Sequence, residues 1–367
     1  MLKPIHHVAC SPALRACRGL QERLSAWLCD PATGPAALVR ANVPGPSDFE
    51  ADWLWAFLGR QDGGRFLMER AQTLAAMSDA DKAALLAWGQ IVANVARQFQ
   101  PHPPAWAVQA PAIPAAAWQA FKELMAAFYE KGLGLKGGLP YAADGTPVAG
   151  GGVSYADFVQ EFRDAHRHPD ANQDIEDVCV LCGGPLGAVP DVDHWIAKHA
   201  FPLLSVCADN LLPICHGCNK RPNKGDKDVF EPDGFQNWFH PYLRPGDDAI
   251  RLCYRLPELE VTLSPADPVN TLRIQHLDRL LNLSKRWTTT FKAKYTEQRD
   301  WLQRLEKKRL RNGQPRHSHE EIQAFIENFR DGMPAYVPFY EVQQVLAQAL
   351  LEPARLAAWH TELGQVT

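Results

Sequence analysis

The sequence contains no apolar run long enough to cross a bilayer. Its most apolar long stretch, AALLAWGQIVANVA at 83–96, is interrupted by Gly89, Gln90 and Asn94 and falls short of the roughly 20 residues a spanning helix needs. No membrane partner is therefore expected. The opening MLKPIHHVACSP lacks the apolar segment of a secretory signal, so a cytoplasmic protein is expected. The glycine-rich stretch at 132–152 has no GKS or GKT ending. That argues against a phosphate-cradling loop and leaves a flexible connection, or a small hairpin turned at Asp144-Gly145. There is no internal repeat and no low-complexity tail. A surplus of either charge is also lacking, since the net charge of −4 points to no partner by itself. Nor is there a disulfide scaffold. Nine cysteines in 367 residues are sparse, and Cys10, Cys17, Cys29, Cys207 and Cys253 are scattered singly, as suits a reducing compartment.

What is present is an ordinary globular composition, 46% hydrophobic, in a chain with room for two or three domains. Helical periodicity dominates. Leu14, Cys17, Leu20, Leu24, Trp27 and Leu28 recur at three- and four-residue steps over 11–30. Ser47-Asp48 and Ser78 with Asp81 start further helices, and 65–77, 115–131 and SYADFVQEFRDAHR read likewise. PHPPAWAVQAPAIP is a proline-rich connection. The tryptophans in this part are expected to be core anchors. Beyond residue 243 the alternating AIRLCYRLPELEVTL reads as one or two short strands. Helices then return: one over 270–283, a long one to Arg311 stopped at Asn312-Gly313, and two or three short ones. The fold is expected to be mainly α. A helical N-terminal domain (1–165) and a helical C-terminal region (243–367, with a basic helix at 284–312) flank a small central module (166–242).

That module carries the chemistry. VCVLCGG places Cys179 and Cys182 as one metal knuckle, and ICHGCN places Cys215 and Cys218 as a second. Two Cys-x-x-Cys turns can clamp one zinc tetrahedrally and stabilise a segment too short to bury much apolar surface. Between them lie Asp193, His194 and Asn210. Metal-assisted phosphodiester cleavage needs a base to activate water, a hard cation to neutralise charge on the phosphate, and a group to orient the base. Imidazole suits the first role; carboxylate and amide oxygens suit a magnesium ligand.

The order Cys-x-x-Cys, Asp193-His194, Asn210-Leu211, Cys-x-x-Cys, Asn219 and Lys224-Gly225 resembles the HNH endonuclease family over roughly residues 176–242, with an apolar Phe201-Pro202 between its His and Asn. The resemblance implies a ββα-metal (treble-clef-like) fold stabilised by structural zinc. It implies His194 as general base, Asp193 as a carboxylate ligand of a catalytic Mg2+ or Mn2+, Asn210 as the residue tying the loop that presents the histidine, and Asn219 as second ligand. Two departures stand out: Ala197 where a proline is usual, and Lys220, Arg221 and Pro222 inserted before Lys224-Gly225, which leave Asn223 as an alternative to Asn219. His216 is expected to be a backbone-bonded structural group and His240 to pack the module's exit. Lys198, Lys220, Arg221 and Lys224 are expected either to hold phosphate or to be solvated surface.

Residues 166–240 carry 6 basic against 11 acidic residues, whereas the helix and turn from 284 to 316 carry 11 basic residues against Glu297, Asp300 and Glu306. Trp287, Phe291, Tyr295, Leu302 and Leu305 recur there at helical spacing. An apolar stripe with a basic outer face, including Lys292, Lys307, Lys308 and Arg311, fits nucleic-acid backbone contact. The expectation is thus a metal-dependent DNA endonuclease. A bacterial restriction or phage-defence setting, with a partner ATPase or sensor, follows by analogy. The alternatives are a non-catalytic zinc-ribbon module binding DNA or protein, and a nuclease acting on RNA.

Overall fold

A computed structural model describes residues 3–104, 110–134, 138–172, 174–225, 227–231, 234–255 and 258–366. Part of the proline-rich connection (105–109), part of the glycine-rich stretch (135–137) and Asp226 lie outside the described residues. Among the described residues the fold is mainly helical, with 52% of them in helices and only short strands.

The first third is built as its periodicity predicts. Helix α1 (Ser11–Leu28) buries Leu14, Cys17, Leu20, Leu24 and Leu28 along one face and starts on Pro12, whose missing N–H costs nothing in a first turn. Ser47 caps α2 (Asp48–Leu58) by accepting from the Glu50 amide. Two strands of two residues each, β1 (Gln61–Asp62) and β2 (Arg65–Phe66), pair across Gly63-Gly64 and lead into α3 (Leu67–Ala75). Ser78 caps α4 (Asp79–Ala93). Helix α5 (Ala115–Ala127) continues into a wider π-type turn, Phe128–Leu133. The Asp144-Gly145 turn closes on a Tyr141–Pro147 bridge. A capping box of Ser154 and Asp157 opens α6 (Tyr155–His166).

The middle holds an antiparallel pair, β3 (Asp191–His194) and β4 (Leu211–Ile214), in the register Asp193↔Leu212 and His194↔Leu211. One helical turn, α7 (His216–Asn219), follows. The C-terminal third opens with a hairpin of β5 (Ile250–Arg255) and β6 (Glu260–Pro265). Helix α8 (Thr271–Leu281) ends at Asn282, whose left-handed backbone turns the chain directly into α9 (Leu283–Arg311). Helices α10 (His319–Asp331), α11 (Tyr340–Leu350) and α12 (Pro353–Gly364) complete the chain.

Buried apolar side chains form one continuous cluster from Val8 to Val366. Boundaries near 165 and 242 are therefore not marked by separate cores. The N-terminal helices press directly on the β3–β4 segment. Gln21, on α1 and fully buried, donates to the carbonyls of Met125 and Pro202 and to Ser205 Oγ. Of the tryptophans expected as core anchors, Trp88 is buried, meets the half-buried Trp118 edge-to-face at 5.0 Å and lies over Phe201, whereas Trp55 is exposed and Trp106 lies outside the described residues.

Candidate metal centre and adjoining cleft

Each Cys-x-x-Cys turn is fixed by its own backbone. In the first, the Cys179 amide donates to Gly184 O at 2.7 Å and the Gly183 amide returns to Cys179 O at 2.8 Å. In the second, the amides of Cys218 and Asn219 both reach Cys215 O as α7 begins. Strand β4 delivers Cys215 beside the first turn, and its amide points at Cys179 Sγ, 3.5 Å away.

The four sulfurs lie within 4.8 Å of one another and all four residues are buried. Cys179 and Cys218 sulfurs are 3.9 Å apart, and those of Cys182 and Cys215 are 3.7 Å apart. A disulfide needs ~2.05 Å, so these are not bonded pairs. A tetrahedron of thiolates at the usual Zn–S distance of ~2.3 Å has an edge of about 3.8 Å. The cluster therefore already has the dimensions of a zinc site. Hydrogen bonds from the neighbouring cysteines hold Cys182 and Cys215 below the usual thiol range, while burial holds Cys179 above it.

The C-terminal region closes over this cluster. Arg286 on α9 donates from Nη1 to Cys218 Sγ at 3.3 Å. Its positive charge sits where four thiolates and one dication would leave two negative charges. The next residue, Trp287, is fully buried and donates from Nε1 to Cys182 O at 2.9 Å. Phe339 donates its amide to Gly183 O. Its ring lies where a Cβ on Gly184 would come within 2.6 Å, so any larger residue there would have to displace it.

Beside the cluster is a cleft of about 320 Å³ lined by Tyr129, Asp193, His194, Lys198, Asn219 and Lys224 among others. Strand β3 carries Asp193 and His194 to it, and α7 carries Asn219. Asp193 is 6% exposed. Its Oδ1 accepts from Lys224 Nζ at 2.9 Å, whereas its Oδ2 is buried without a hydrogen-bond partner. Burial raises the Asp193 pKa, and the Lys224 charge opposes that shift. His194 donates from Nε2 to Ser205 O at 2.9 Å, which assigns the ring lone pair to Nδ1. Burial, then the charges of Lys198 and Lys224, lower its pKa to about 3, so the ring is neutral at pH 7. The Tyr129 ring stands edge-on to it at 4.5 Å.

Asn210 is 1% exposed and ties the intervening loop. Its Oδ1 accepts from the Ile196 amide at 2.7 Å, and its Nδ2 donates to the carbonyls of Ile196 and Leu204. Asn223 does not join the cleft. Its side chain donates to Gly217 O and accepts from Asn282, so Asn219 is the amide that lines it.

The expectations for Lys224 and His216 need correction. Lys224 is neither solvated nor free for phosphate: it is 1% exposed, and its Nζ is engaged by Asp193 Oδ1 and by His194 O at 2.8 Å. The register of Asp191 against Ile214, next to Cys215, brings it beside His216, so His216 is not backbone-bonded: it is exposed and pairs through Nδ1 with Asp191 at 2.9 Å. Lys198 bonds Glu130 and lies 5.0 Å over the Tyr129 ring. Lys220 and Arg221 are exposed and are not among the residues lining the cleft. His240 is buried and packs edge-on against Phe99 at 4.5 Å.

On α9, Arg286, Lys294, Arg299 and Arg309, and beyond its end Arg316, spend their charge on neighbours within the chain. Lys285, Lys292, Arg304, Lys307, Lys308 and Arg311 are exposed. At 3.6 residues per turn these six cover an arc of roughly 160°, opposite the buried stripe of Trp287, Phe291, Tyr295 and Leu302.

Sequence periodicity did not reveal Tyr129, Ser205, Gln21 or Arg286 as parts of this region. The glutamine buried on the apolar face of α1 was the one visible sign. Comparison of the chain with family models, with curated proteins and with solved structures finds no match, so its assignment rests on the geometry of these two adjoining sites.

Proposed function

We propose that the chain is a metal-dependent endonuclease of the HNH type, with a ββα-metal module at β3–β4–α7, acting on DNA phosphodiester bonds. One observation carries this reading: Asp193, His194 and Asn219 line a single cleft in which Asp193 Oδ2 is buried and unpartnered. An orphaned carboxylate oxygen of that kind costs free energy unless a cation or donor meets it. Oxygen donors on Asp193 and Asn219 fit a hard divalent ion such as Mg2+ or Mn2+. That ion, when bound, would supply charge neutralisation at the phosphate and the leaving oxygen. His194, held neutral with its Nε2 tied to Ser205 O, accepts the proton of an attacking water at Nδ1. Asn210 keeps the loop that orients it. The four cysteines would hold zinc as the frame, with Arg286 offsetting its surplus negative charge. The exposed basic face of α9 supplies affinity for the phosphate backbone without reading bases.

A second reading, a zinc-stabilised binding module without chemistry, is favoured by the Lys224–Asp193 pair, in which the ammonium already balances the carboxylate charge at Oδ1. A plasmid cleavage assay with Mg2+ or Mn2+ separates the two. Wild type is expected to cut and His194→Ala to lose at least 100-fold in rate, the usual scale of a general base. Equal cleavage by both, or none by either across metals and DNA forms, would leave the binding module.

A further inference from the structure

Lys224 is the residue in the cleft whose role the sequence least anticipated. A buried lysine carries a large desolvation cost and persists only where its charge is matched. Here both of its side-chain bonds go to the strand that lines the cleft. Nζ reaches Asp193 Oδ1 at 2.9 Å and His194 O at 2.8 Å on β3. Its main chain belongs to the opposite wall: its amide donates to Cys218 O at 3.1 Å, and the Gly225 amide donates to Asn219 O at 2.9 Å. One residue thereby fixes Asp193 relative to Asn219. It also divides the carboxylate, with Oδ1 facing an ammonium and Oδ2 facing none.

We propose that Lys224 is a positioning residue that presents Asp193 to a divalent cation through Oδ2 alone, and so makes the cleft favour Mg2+ or Mn2+ over Ca2+. The inference rests on the cation-binding reading of the cleft. Ca2+ takes six to eight oxygens and commonly grips a carboxylate through both of them, at ~2.3–2.6 Å. Such a grip would bring a dipositive charge onto the oxygen already held by the ammonium. Mg2+ prefers few protein oxygens, near-octahedral geometry and retained waters, and a single carboxylate oxygen satisfies it. The lysine is thus a selector acting through the ligand it holds.

The test uses the zinc-loaded full chain. Mn2+ binding is followed by loss of the free-ion electron paramagnetic resonance signal, and Ca2+ is titrated as competitor. Wild type is expected to bind one Mn2+ that Asp193→Asn abolishes. Lys224→Met, with zinc content and circular dichroism unchanged, is expected to shift the Ca2+/Mn2+ affinity ratio at least tenfold towards Ca2+. A ratio within twofold of wild type overturns the role given to Lys224 while the cation site stands. Equal Mn2+ binding by wild type and Asp193→Asn removes the cation site itself, and this inference with it. If Lys224→Met does not fold, Lys224→Gln, which keeps a donor group but no charge, must shift the ratio at least threefold; an unchanged ratio overturns the proposal equally.

Discussion

Burial acts on Asp193 and His194 in opposite chemical senses: it favours the protonated acid at one and the neutral ring at its neighbour. Lys224 opposes the first effect and reinforces the second, so one ammonium favours an ionised acid beside an uncharged base. Asn210 shows how much of this depends on a single amide. Asn210→Ala would orphan the buried Ile196 amide and two carbonyls, and is expected to cost about 2–4 kcal/mol, measured by urea unfolding. Gly184→Ala would drive a methyl into the Phe339 ring and is expected to cost about 1–3 kcal/mol by the same measurement. His240 governs an acid response. Burial first, aided by the Arg244 charge and opposed by Asp209, lowers its pKa to about 3, against ~6.5 in an unfolded chain. Its neutral form therefore adds stability that is fully present above about pH 6.5. Between pH 6.5 and 3 the unfolded chain takes up a proton that the native chain refuses, and stability falls by up to about 1.4 kcal/mol per pH unit. Unfolding free energies of His240→Gln, measured from pH 7.5 to 4.5, should fall less steeply than those of wild type by up to that slope.

At the scale of elements, what could be read in the sequence was what is encoded locally. The helices follow from three- and four-residue apolar spacing and from serine caps at Ser47, Ser78, Ser154 and Ser318. The four-cysteine cluster follows from two short spacings. What escaped has no local signature. Strands β1 and β2 are two residues each, too short for an alternation. Tyr129 reaches His194 across 65 positions, and Arg286 reaches Cys218 across 68, contacts that leave no mark on either neighbourhood. The basic helix was legible in composition but not in detail, because only six of the ten cations on α9 are exposed. Helix α9 is expected to do two separable things. Charge reversal at Lys307, Lys308 and Arg311 should reduce the slope of log K against log salt for DNA binding by about 2–3, at ~0.9 per phosphate contact, with zinc content unchanged. Trp287→Ala, which empties a fully buried site against Cys182 O, should instead cost about 3–5 kcal/mol of stability, read by thermal or urea unfolding.

Across the whole molecule the cysteine cluster touches α9 through Arg286 and Trp287 and the start of α11 through Phe339. Removing zinc with a chelator is therefore expected to reach beyond the two knuckles. Amide hydrogen exchange should rise in 179–184 and 215–219, and also in the first turns of α9 and around residue 339, while α3 stays protected. A rise confined to the knuckles would show that α9 is held by its apolar stripe alone. The opposite side of the cleft has its own chain of dependence. Gln21 on α1 bonds Ser205 Oγ, Ser205 Oγ bonds Met125 O, and Ser205 O holds the ring of His194. The histidine's orientation is thus inherited from a helix nearly two hundred residues upstream. Small zinc-stabilised modules are often regarded as portable cassettes, joined to one scaffold or another by recombination. The segment here depends on its host: cut out and grafted elsewhere, it would keep its four cysteines and lose the Gln21 and Met125 bonds to the serine that holds its histidine.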